Sequence, residues 1–201
     1  MWVRGAAIRP VPRYAVVARE TLERIERELA DDTPRAREEL DGAFSRFEAT
    51  QPHLADAIST TLGKPLDETA LALGYFLSIA VWLAFERTFG ARRLREVSAD
   101  ELQATAQAVA LEEELRAADG AEPLDTDDIV SVEQPHVMAF VHEHVDAALD
   151  PSAQAEADPP RDVDVDDVDA VYRATVLLTL CLSHAVVPLD GALRERDELM
   201  A

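Results

Sequence analysis

Three observations predict an all-α fold. Apolar residues recur at three- and four-residue spacing along most of the chain, no stretch alternates cleanly with period two, and proline, glycine and capping side chains punctuate the sequence at helical lengths. Of the 201 residues, 48% are hydrophobic, enough for a sizeable core, so wholesale disorder is excluded. The length fits one helical domain over 1–201.

Tyr14, Val17, Ala18, Leu22, Ile25 and Leu29 form one stripe, with Arg19, Glu23, Arg24, Glu26 and Arg27 mostly off it, which predicts a first helix over 13–30. Thr33-Pro34 opens the second helix, whose stripe is Leu40, Phe44 and Phe47. Gln51-Pro52 ends it and starts a third, Pro52 to Leu62, which Gly63-Lys64-Pro65 closes. Asp67 and Glu68 open a long apolar helix over 67–89. Its uncharged run from Thr69 to Phe85 reaches the lower limit of a membrane span, but Gly74, Ser78 and the acidic flanks favour a buried core helix. Arg87, Arg92, Arg93 and Arg95 follow, and cations suit a helix C-terminus. Glu86, beside them, is expected to pair with Arg92 or Arg93.

Ser98-Ala-Asp-Glu101 has the capping-box spacing and starts a helix over 98–118, stopped at Asp119-Gly120. Asp125 to Asp128 leads into a helix carrying Val137, Phe140, Val141, His144, Val145 and Ala148. The segment 150–165 reads as an acidic, proline-rich loop, and a last long helix runs over 166–187 to Pro188. The total is about seven helices in a single, pseudo-symmetric domain.

The pseudo-symmetry comes from a repeat. Gln51-Pro52-His53-Leu54 recurs as Gln134-Pro135-His136-Val137, 83 positions later, with Ile58 against Val141 and Leu62 against Val145 in register. Each copy then leads into a long apolar helix, the second after the acidic loop, so repeat halves of 34–90 and 98–188 are expected. A duplication of this kind requires the helices 67–89 and 166–187 to pack against each other.

Forty acidic side chains against 19 basic ones give a net charge of −21, the wrong sign for displacing counterions from phosphate, which excludes direct nucleic-acid binding. The excess is concentrated: residues 96–169 hold 22 acids and 2 arginines, residues 1–50 hold 10 acids and 9 arginines. A basic protein partner facing 96–169 follows as an expectation. The single cysteine, Cys181, lies in an apolar run and is expected to be a buried, inert thiol in a reducing compartment. Arg9 and Pro10 break the short apolar N-terminal stretch, so no signal peptide is read and the chain is expected to be cytoplasmic, with no membrane contact.

Chemistry-bearing patterns are sparse. His53, His136, Glu143 and His144 could supply a transition-metal ligand set if the repeat brings its halves together. Against this, His142 and His144 are two apart and point to different faces of a helix, and neither H-E-x-x-H nor a second Glu-x-x-His is present. Asp162 to Asp169 fails as an EF-hand, with Asp167 in place of the glycine and Arg173 in place of the bidentate glutamate, and reads as a capping lead-in. No phosphate loop, nucleophile elbow or dinucleotide fingerprint occurs, and no cofactor is implied. The reading is a non-enzymatic helical module, regulatory or accessory, that acts through a protein partner or as a homo-oligomer. Exposed apolar faces on the helices 13–30 or 98–118 would make the contact. A small helical metalloprotein or metal-dependent hydrolase using His53, His136, Glu143 and His144 is the alternative. A small-molecule pocket near Tyr75, Trp82 and Tyr172 is a third.

Overall fold

Two aspartates, Asp67 and Asp164, align the two helices at the centre of the molecule. In the computed structural model, which describes residues 8–30, 33–119, 130–131, 133–156 and 163–189, the chain is all-α. The helices are α1 (Arg19–Leu29), α2 (Pro34–Thr50), α3 (Pro52–Leu62), α4 (Glu68–Phe89), α5 (Ala99–Asp119), α6 (Pro135–Leu149), the short α7 (Pro151–Glu156) and α8 (Val165–Ala185). Asp67 caps α4 by accepting from Ala70 N, and Asp164 caps α8 by accepting from Asp166 N. The same residues join the helices: Asp67 Oδ2 accepts from Asp164 N at 2.9 Å, and Asp67 N donates to Asp167 Oδ2 at 2.7 Å. At the far end Arg95 N donates to Ala185 O and Val187 N to Arg93 O, an antiparallel bridge between Leu94 and Val186. Joined at both ends, α4 and α8 run parallel and pack along their length.

Gly74 permits the close approach: a Cβ there would overlap Leu62 and stand 3.2 Å from Val171 Cγ2. Leu77, Ile79, Trp82, Leu83 and Phe85 of α4 and Leu178, Leu180 and Leu182 of α8 are fully buried. α4 is long and apolar enough to cross a membrane by length and composition, and it is mostly buried within the molecule. Along α8, Thr175, Thr179 and Ser183 are buried and satisfy their hydroxyls by donating to the carbonyls four residues back. Around this pair, α1, α2 and α3 pack on α4, α6 packs on both helices, and α5 packs on α8.

The two Gln-Pro turns have the same backbone and the same task. Gln51 (φ −138°, ψ 57°) and Gln134 (φ −126°, ψ 60°) are the N-caps of α3 and α6, and both are buried. Gln51 Nε2 donates to Arg95 O and its Oε1 accepts from Val97 N, both at 2.9 Å. Gln134 Nε2 donates to Ala15 O at 2.7 Å and its Oε1 accepts from Val17 N at 3.2 Å. Each primary amide thus holds residues i and i+2 of an extended segment, as a neighbouring strand would, and each segment leads directly into a helix, α5 or α1. Gln134 makes one bond more, donating to Ser183 Oγ at 2.9 Å.

That clamp corrects the first element. Instead of a continuous helix over 13–30 there is a 3-10 turn at Arg13–Ala15, an extended stretch, and then α1. Val17 is therefore buried from extended chain, while Tyr14 is exposed. The segment 150–165 is not all loop either: Asp150 Oδ1 accepts from Ser152 N and starts α7. The lead-in Asp125 to Asp128 and the stop at Gly120 lie outside the described residues. The capping box forms as read, with Glu101 N donating to Ser98 Oγ and Ser98 N to Glu101 Oε2.

Candidate functional site

The histidines are held apart. His53 and His136 stand exposed in the first turns of α3 and α6, and Glu143 is exposed on α6. His144 packs against the rings of Phe76 and Phe140, with Nδ1 2.8 Å from Phe140 O and Nε2 3.4 Å from Glu26 Oε1. His142 lies against Tyr172, Nε2 3.1 Å from its hydroxyl. Among the described residues no three His, Cys, Asp or Glu side chains are placed to hold a metal ion. Among the described residues the convergence that a site at His53, His136, Glu143 and His144 requires does not occur: His53, His136 and Glu143 point to solvent, while His144 is packed against Phe76 and Phe140.

The aromatic trio does not line a common pocket. Tyr75 is 48% exposed and meets Phe44 edge-on, whereas Trp82 is 1% exposed and packs between Phe47 and Arg46. Glu86 takes a two-pronged bond from Arg46, at 3.1 and 3.3 Å, rather than from Arg92 or Arg93. The arginines beyond α4 do more than complement its dipole: Arg87 reaches Glu28 and Glu39, Arg93 reaches Val187 O and Tyr14 O, and Arg95 reaches Glu101.

A cavity of about 200 Å³ opens elsewhere, between α5, the end of α8, the segment before α5 and the start of the described chain. Charged and titratable groups on its lining are Arg9, Arg95, Glu101, Cys181 and His184. Arg95 grips Glu101 with both prongs, Nη1 to Oε2 at 2.7 Å and Nη2 to Oε1 at 2.5 Å. That hydrogen bond first, and those from Ser98, bring the Glu101 carboxyl down to about 2. Burial pushes the Cys181 thiol up to about 11. Burial, then the charge of Arg9, holds His184 below its ordinary value, and its Nε2 lies 3.1 Å from Arg9 O. Neutral pH therefore leaves a thiol and an imidazole, the opposite of the thiolate and imidazolium that a cysteine nucleophile uses.

On the outward side of α5, Gln103, Ala104, Gln107, Ala110 and Leu111 are exposed, Leu111 by 48%. The ten residues from Leu102 to Leu111 carry no charge, and Leu102 and Val109 are only partly buried. On α1 the outward residues are all charged, Arg19, Glu20, Glu23, Arg24, Arg27 and Glu28, and the inward Leu22 and Ile25 are fully buried. Sequence reasoning named α5 as one of two possible contact helices; it missed the cavity, whose lining comes from four separate stretches of chain.

Fold and geometry together define a class: an all-α protein built on two parallel core helices, with a small cavity and one neutral exposed helix face. No family model, curated protein or solved structure matches the chain.

Proposed function

We propose that this protein is a non-enzymatic helical module that binds another protein, and that α5 is the helix that receives it. The observation that carries the reading is the outward face of α5. A solvated helix normally turns charge to water, as α1 does, whereas Gln103, Ala104, Gln107, Ala110 and Leu111 offer methyl groups, amides and one leucine on which a second backbone can lie close.

Charge selects the occupant. The exposed Asp100 precedes this face, and the exposed Glu114 follows it. A two-fold contact between copies would set these like charges against each other, so a different, basic chain is favoured over self-association.

The same reading takes the chain as a duplicated unit. It is supported by the matched Gln51 and Gln134 clamps, by the N-caps Asp67 and Asp164, and by the packing of α4 on α8. The matched geometry starts at Ala15 and Arg95, so the first half reaches further toward the N-terminus than residue 34. One half encloses its first helix and the other offers it to a partner.

The test is isolation of the full-length chain from its own cells at low and high salt, as wild type and as Leu111→Glu, followed by reconstitution with the purified co-isolated protein. The expected result is a basic protein, held at low salt, released at high salt and lost with Leu111→Glu. A complex that ignores salt, or one unaffected by Leu111→Glu, overturns the reading.

A further inference from the structure

Among the described residues, one charge on the lining of the cavity behind α5 has no partner. Arg95 and Glu101 neutralise each other, and the two amino groups of Arg95 also donate to the backbone, to Glu96 O and His184 O. Arg9 is different: among the described residues its backbone carbonyl is engaged by His184, but its guanidinium makes no ion pair and no hydrogen bond. An arginine on the lining of a concave site favours an anionic group there.

The remaining walls are small and mostly apolar. Ala104 and Ala108 lie one turn apart on α5 and face Ile8, Val97 and the Cys181 sulfur. Cys181 is 3% exposed and lies at the buried side. A volume near 200 Å³ takes a short chain and excludes a long acyl tail or a nucleotide.

We propose that this cavity binds a small organic anion, a carboxylate on a short aliphatic chain, with Arg9 receiving the carboxylate and Ile8, Val97, Ala104 and Ala108 receiving the chain. An ammonium ligand would be repelled by Arg9, and a neutral hydrocarbon would gain no charge-assisted hydrogen bond from it. Ala104 borders both the cavity and the outward face of α5, whereas Arg9 and Ala108 belong to the cavity and Leu111 to the outward face, so substitutions at these positions separate ligand binding from docking.

Hexanoate is the probe, with hexanol as its uncharged counterpart, each titrated by calorimetry against the full-length chain. A parallel measurement follows protection of Cys181, the single cysteine, from alkylation by iodoacetamide. Expected are saturable hexanoate binding, affinity for hexanol lower by about fivefold or more, and slower alkylation as hexanoate saturates. Arg9→Gln, a change at an exposed side chain that leaves the fold intact, should bring hexanoate down to the level of hexanol. Ala108→Leu should abolish binding of both. Absence of saturable hexanoate binding overturns the proposal, and so does equal affinity for hexanoate and hexanol or a wild-type affinity in Arg9→Gln.

Discussion

Helices α1 and α5 each follow an extended segment pinned by a buried glutamine, yet α1 turns six charged side chains to solvent while α5 turns amides, methyl groups and Leu111. Their inner faces differ as well. α1 fully buries Leu22 and Ile25 against α4 and α6, whereas α5 leaves Leu102 and Val109 partly covered and encloses a cavity instead. Similar local solutions at the helix entry thus support opposite uses of the helix, one for the core and one for contact. Burial of apolar area holds α1 in place. α5 depends more on its ends, on the capping box at Ser98 and the Arg95–Glu101 pair.

The clamps give the largest expected effects. Gln134→Leu leaves Ala15 O and Val17 N without their partner in the core and takes from Ser183 Oγ the bond it accepts, though not the one it donates to Thr179 O, and should destabilise the protein by about 4 kcal/mol in urea unfolding. Gln51→Leu strips two groups rather than three and should be milder, at about 3 kcal/mol. Equal effects would mean that the bond to Ser183 adds nothing. Next come the helix faces. Ile25→Ala on α1 should lose about 3 kcal/mol, while Leu111→Ala on α5 should change stability by less than about 0.5 kcal/mol, by the same assay.

Smaller effects belong to the caps, where the comparison predicts opposite signs. Ala18, the N-cap of α1, makes no side-chain cap bond, and Ala18→Ser should raise stability by about 1 kcal/mol. Ser98→Ala, which removes the capping box of α5, should lower it by about the same amount.

The acid response is the mildest. Glu101 titrates about 2 when folded, against 4.5 ordinarily, so its stabilisation is complete above pH about 4.5 and is lost as pH falls toward 2. His184, held below its ordinary value, adds a loss of the same sign as pH drops through its unfolded range near 6.5. Both side chains are partly in water, so each contribution is modest. Denaturation followed against pH should show the lower limb flattened in Glu101→Gln and the upper limb flattened in His184→Gln.

How much of this was legible in the chain depends on how far each signal reaches. Local signals read well: Asp67 as a cap, Pro52 as a helix start, and Ser98 with Glu101 as a capping box all formed. The Gln-Pro-His repeat is visible in the sequence, but its histidines, the chemically suggestive residues, stand in solvent at His53 and His136. The glutamines do the structural work, and their partners lie 44 and 119 residues away, beyond any local pattern. For the same reason α1 starts later than its apolar stripe predicts. Tyr14, Val17 and Ala18 continue the apolar stripe, and the bonds of Gln134 to Ala15 O and Val17 N hold this segment extended. The cavity was invisible because Arg9, Arg95, Glu101, Cys181 and His184 meet only in the folded chain.

The most direct test of a core helix against a contact helix is photo-crosslinking in the protein's own cells, with a photoreactive residue at Gln107 on α5 or at Arg24 on α1. One dominant adduct with a basic protein from position 107, and none from position 24, is the expected result. Equal labelling from both positions, or an adduct at 107 with another copy of this chain, would contradict it.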